Sequence, residues 1–99
     1  MPRKLPAIIA MLKEIQPELH ERFGVSGLWV FGSYVRGEQK LASDLDVLVE
    51  FDRPGMTLLK FVDLEFRLSE HLSMKVDLVQ RSALRPRMSP SVLAEAISV

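Results

Sequence analysis

Ninety-nine residues, 47% of them apolar, suffice for one modest core and leave no room for a second, so residues 1–99 are read as a single domain. Thirteen basic and thirteen acidic residues cancel, which argues against duplex nucleic acid as a partner. Without cysteine there are no disulfides or thiolate metal sites, and Lys13 and Glu14 interrupt the first apolar run before it could serve as a leader or membrane span. The expected location is the cytoplasm.

Ile8, Ile9, Leu12, Ile15, Leu19 and Phe23 recur at three and four residue spacing, the period of an amphipathic helix. Pro17 falls inside it, so the helix either kinks there or gives way to a second short one, and Gly24 ends the region. Leu28 to Phe31 reads as a short buried strand. A one-turn helix closed by Gly37 is expected after Gly32-Ser33. Asp44 to Phe51 alternates, with Leu45, Val47, Val49 and Phe51 on one face and Asp44, Asp46, Leu48 and Glu50 on the other. After an Asp52–Gly55 turn, Leu58, Phe61, Leu64, Leu68 and Leu72 mark a second amphipathic helix starting near Thr57. Lys75 to Val79 is a third strand, and the stretch from Gln80 to Met88 is the expected flexible linker. Ser89-Pro90 is a helix start, with Val92, Leu93, Ala96 and Ile97 as its apolar face.

Two carboxylates at the start of a strand need a reason. Asp44 and Asp46 share a face, and at about 6 Å with an effective dielectric near 20 their repulsion costs about 3 kcal/mol. Asp77, on the third strand, adds to the burden if it lies nearby. A hard divalent cation relieves it, and Mg²⁺ takes few protein carboxylates, completing its shell with water and substrate phosphate. Gly32 lets a ligand approach the backbone, and Ser33 offers a hydroxyl and amide groups to an anion.

Each element alone has a plainer reading. Ser33 is a common helix cap, the Asp44 pair suits a solvated turn, and Asp77 suits the outward side of a half-buried strand. Arg36 fits a phosphate clamp and an ion pair equally. His20 lacks the second histidine of a zinc-protease helix, because Gly24 stands there, and reads as solvent-facing. His71 reads as structural or exposed. Glu65, Arg67 and Glu70 read as the solvated face of their helix. It is the combination of Gly-Ser with the spaced carboxylates that points to a metal-phosphate site.

Gly32-Ser33, ten intervening positions, Asp44-Leu45-Asp46 and the later Asp77 resemble the nucleotidyltransferase superfamily that includes DNA polymerase beta. Arg36-Gly37-Glu38, Ser43-Asp44, the small size and the ending Ala94-Glu-Ala-Ile-Ser-Val are similar to its minimal nucleotidyltransferase (MNT) branch. That resemblance implies an α+β fold with a short mixed sheet and helices packed against it. It implies that Gly32 and Ser33 hold the outer phosphates of ATP, with Arg36 and Ser43 also at the nucleotide. Asp44 and Asp46 would hold two Mg²⁺ ions, and Asp77 would complete the metal site or help deprotonate an acceptor hydroxyl. The implied activity is transfer of AMP from ATP to a hydroxyl of a partner protein, a HEPN-domain ribonuclease toxin for which this chain is the antitoxin. The alternative is a binding module that neutralises its partner by contact alone.

Overall fold

A computed structural model describes residues 4–40, 43–83 and 89–99. Helix α1 (Leu5–Phe23) buries Ile8, Leu12, Ile15, Leu19 and Phe23, the stripe its spacing predicts, and Gly24 closes it in the left-handed conformation. It runs through Pro17 as one helix, so no second helix starts there. Lys13 and Pro17 both lie on the exposed side, where water can replace the missing donor.

Strand β1 (Val25–Phe31) begins three residues earlier than the apolar run suggests. Its extra length contains a bulge between Val25 and Gly27, with Ser26 hydrogen-bonded through its hydroxyl to the Glu50 carbonyl at 3.1 Å. A single turn, α2 (Ser33–Arg36), follows and is closed by Gly37. Strand β2 (Leu45–Phe51) pairs antiparallel with β1 and parallel with β3 (Val76–Gln80). Between them α3 (Leu58–Leu72) makes the crossover that parallel strands require. The Thr57 side chain caps α3 by accepting from the Lys60 amide at 3.2 Å, a contact worth about 1 kcal/mol.

The described end of the chain departs from expectation. Helix α4 (Ser89–Glu95) stops before Ile97, which joins Ser98 in a two-residue strand, β4, antiparallel to β1. Ile97 is therefore a strand residue rather than part of a helical apolar face, and Leu93 is exposed while Val92 is buried. Arg81–Ala83 form a short 3₁₀ turn. Residues 84–88 of the expected linker, and the side chain of the expected cap Ser89, lie outside the described residues.

The sheet order is β3-β2-β1-β4, and its mixed pairing gives the expected α+β architecture. One face carries Leu28, Val30, Leu45, Val47, Val49, Val76 and Leu78 into a common core with the buried residues of α1 and α3. Hydrophobic burial of such side chains, at roughly 1.5–3 kcal/mol each, is what holds the helices on this face. Period-two alternation then places Asp46 and Asp77 on the other face.

The polar face assigned to α3 is less solvated than its composition suggests. Arg67 donates from Nε and Nη2 to the Glu18 carboxylate on α1 at 2.8 and 3.0 Å, and Glu65 accepts from the Leu78 amide at 3.1 Å. Glu65 and Ser69 thus occupy outward amides of the edge strand β3, which blunts it against pairing with other chains. His71 bonds through Nε2 to the Met11 carbonyl at 3.0 Å, a structural role, while His20 meets Asp52 at 2.8 Å on the surface.

Candidate active site

Strand register sets two of the three carboxylates, Asp46 and Asp77, side by side. Asp46 stands opposite Phe31 on one side and Asp77 on the other, so it is flanked by the residue before Gly32 and by the third aspartate. Asp77 is exposed, Asp46 is half-buried, and Asp44 lies just ahead of β2 with one oxygen 3.7 Å from the Lys75 ammonium. The Asp46 carboxyl is pushed up to about 6, first by burial, then by the charges of Asp77 and Asp44. Arg36 opposes this rise and Glu95 adds to it.

Gly32 is required where it stands. Its φ of 80° is one that side chains rarely adopt, and an added Cβ would lie 2.0 Å from Asp46 Oδ2. The bare backbone is what lets Asp46 sit against the turn. Ser33 opens α2 and is partly accessible, whereas Tyr34 is buried, its hydroxyl pKa raised first by that burial and then by Asp44. The Ser43 hydroxyl, beside Asp44, accepts from the Lys40 amide at 2.8 Å.

One residue of this constellation was not among the sequence candidates. Glu95, the last residue of α4, accepts from the Gly32 amide at 2.9 Å through Oε1, and Arg36 Nη1 donates to both of its oxygens at 3.1 and 3.3 Å. Arg36 Nε also bonds Glu38, so the guanidinium is ion-paired on both sides. The ending that contains Glu95 entered only as a family likeness. No local pattern could show its contact, since it spans 63 positions of the chain.

The donor set suits a hard divalent cation. It offers carboxylate oxygens alone, on an accessible face, with charge that burial leaves poorly compensated. Among the described residues no three acidic or histidine side chains form a ready cage. An ion that keeps waters and takes phosphate oxygens needs no such cage.

The rise at Asp46 has a sign that can be tested on the metal-free protein. Between about pH 4 and 6 the folded chain binds more protons here than the unfolded chain, so stability from this group falls as pH rises through that window. Lowering the pH from about 7 to about 5 should therefore raise the melting temperature of the parent relative to Asp46→Asn. Glu18, lowered to about 2 by Arg67 and then Arg22, titrates below the window, as does Asp52, lowered by Arg53 and then His20. Equal pH responses of parent and variant would refute the assignment.

Comparison with known proteins agrees with this fold. A model of the nucleotidyltransferase domain matches residues 12–99. The protein adenylyltransferase MntA of Thermococcus cleftensis is 46% identical over 95 residues, covering 96% of this chain and 95% of the relative. A solved structure described as a minimal nucleotidyltransferase superposes with a TM-score of 0.81 at 38% identity, covering 98% of this chain and 97% of that one. A chain from a complex of a tri-AMPylated Shewanella oneidensis HEPN toxin with an MNT antitoxin shares the fold, with a TM-score of 0.59 at 20% identity over 94% of this chain and 66% of that one. The mixed sheet with its packed helices is that of a nucleotidyl-transferring enzyme. The chain belongs to the nucleotidyltransferase domain family, in its minimal branch.

Proposed function

We propose that this single domain is a Mg²⁺-dependent protein adenylyltransferase, acting in the cytoplasm as the antitoxin of a HEPN-type ribonuclease toxin. The observation that carries the enzymatic reading is the alignment of Asp46 between Asp77 and the Gly32 turn, where burial and the neighbouring carboxylates push its carboxyl up. The names of the Thermococcus cleftensis relative and of the Shewanella oneidensis complex support the acceptor and partner assigned.

Asp44, Asp46 and Asp77 would hold two Mg²⁺ ions, whose chemistry is to neutralise the triphosphate and make the acceptor oxygen a better nucleophile. Gly32 and Ser33 bind the outer phosphates once Glu95 releases the Gly32 amide. Arg36 turns from Glu95 to the phosphate, exchanging one charge-assisted hydrogen-bond acceptor for another. Ser43, next to Asp44 in the chain, adds its hydroxyl to the nucleotide site. Asp77, the most accessible of the three carboxylates, completes the metal site or takes the proton of the acceptor hydroxyl. The hydroxyl oxygen bonds to the α-phosphorus, the bond from that phosphorus to the bridging oxygen breaks, and pyrophosphate leaves with its electron pair.

Binding comes before transfer and can be measured alone. Mg-ATP at about a hundred times its Kd should stabilise the fold by about 2.7 kcal/mol, raising the melting temperature by roughly 10 °C. Asp44→Asn with Asp46→Asn should lose the Mg²⁺-dependent part of that shift. A shift that survives in the double variant would place the nucleotide elsewhere.

A further inference from the structure

Glu95 takes no part in the chemistry of transfer, yet it occupies the donors that the phosphates need. Its Oε1 accepts from the Gly32 amide at 2.9 Å, and both of its oxygens accept from Arg36 Nη1. An amide has one hydrogen, so Gly32 serves either this carboxylate or a phosphate. A brace for the turn needs an acceptor there but no charge. The charge of Glu95 adds to the repulsion on Asp46 and stands where the oxygens of an anionic ligand belong.

Helix α4, which carries Glu95, is lightly held. Of its described side chains only Val92 is buried, and Val92 stands apart from the core cluster. Among the described residues, Glu95 alone ties the side chains of α4 to other elements by hydrogen bonds. Beyond it, β4 offers two residue pairs to β1, with the Val99 amide on the Leu28 carbonyl at 2.9 Å and Gln16 Nε2 on a Val99 oxygen at 3.0 Å.

We propose that Glu95 is an autoinhibitory latch, which holds the Gly32 amide and Arg36 in place of the triphosphate and is released, together with α4, when the nucleotide enters. This rests on the proposed ATP site and adds its regulation. The affinity observed for ATP is then the intrinsic one reduced by the fraction of chains whose latch is open. Coupling is reciprocal, so ATP loosens α4 by as much as the closed latch weakens ATP. After transfer, Glu95 returns to the same donors and displaces pyrophosphate.

Glu95→Gln keeps the shape and removes the charge, so in isothermal titration calorimetry it should bind Mg-ATP at least fivefold more tightly than the parent. Glu95→Ala leaves the Gly32 amide free and should gain as much or more. Glu38→Gln is the control for simple loss of negative charge, since Glu38 also pairs with Arg36 but leaves Gly32 to Glu95. It should change the affinity less than twofold. Circular dichroism unchanged from the parent will show that the three variants keep the fold. A second measurement needs no variant. The Ala96 amide is bonded to the Val92 carbonyl at 2.9 Å, and Mg-ATP should speed its hydrogen exchange at least tenfold. Binding by Glu95→Gln and Glu95→Ala that is no tighter than the parent's, an equal gain in Glu38→Gln, or exchange at Ala96 that slows or stays unchanged would overturn the latch. If Asp44→Asn with Asp46→Asn still abolishes binding in that case, the ATP site stands without it. Binding that survives in the double variant would overturn the site and the latch together.

Discussion

Asp44→Asn combined with Asp46→Asn should reduce transfer of AMP to the partner protein by about 10²-fold or more, while leaving the fold in place. The substitutions conserve volume and remove charge from a cluster in which Asp46 is already poorly compensated, so stability should not fall. What they remove is the negative field that would hold the metal ions against the triphosphate. Incubating the partner with the parent protein, Mg²⁺ and ATP, and measuring its intact mass, should give a gain of one or more AMP units, on a tyrosine by family analogy. The double variant should give none. If the variant binds and silences the partner as well as the parent does, and neither changes the partner's mass, the chain acts by contact and the catalytic reading is wrong.

Gly32→Ala should be the most damaging single-methyl change in the site. At φ 80° and ψ −150° the backbone is in a region essentially restricted to glycine, and holding a residue with a Cβ there costs about 1–3 kcal/mol. The added carbon would also lie 2.0 Å from Asp46 Oδ2 and 2.9 Å from its Cγ, so the turn or the aspartate must move. Phe31 and Asp46 are paired across β1 and β2 at this point, so the displacement reaches the sheet. A total near 2–4 kcal/mol corresponds to a fall in melting temperature of roughly 10–20 °C. Gly37→Ala is the control, since its φ is also positive at 72° but nothing lies within 4 Å of the added carbon. In the milder left-handed helical region, it should cost about 1 kcal/mol and keep its response to Mg-ATP. Equal melting temperatures for the two variants would mean that Asp46 does not press on Gly32.

Much of this was legible because it is periodic or local. The alternation from Leu45 to Phe51 fixes which side chains share a face, since a strand has no other way to orient them. The buried stripes of α1 and α3 follow from the helical repeat, and Gly32, Gly37 and Thr57 announce turns and caps through their own chemistry. Other readings failed where a partner from elsewhere in the chain decided the outcome. The polar face of α3 looked solvated until α1 supplied Glu18 and β3 supplied an unpaired amide at Leu78. Ile97 has the spacing of a helix but pairs with Val30, because β1 had a free edge for it.

The candidate site divides along the same line. Its carboxylates, its Gly-Ser turn and their spacing are written in adjacent stretches, because each serves a strand or a turn that forms from neighbours in sequence. The alignment of Asp77 with Asp46 depends on the register of β2 against β3, and register belongs to a pair of strands. The engagement of Arg36 and the Gly32 amide by Glu95 depends on α4 and β4 returning to β1. Hydrogen bonds and charges act over a few ångströms whatever the distance along the chain, so their partners are known only after the chain has folded back on itself.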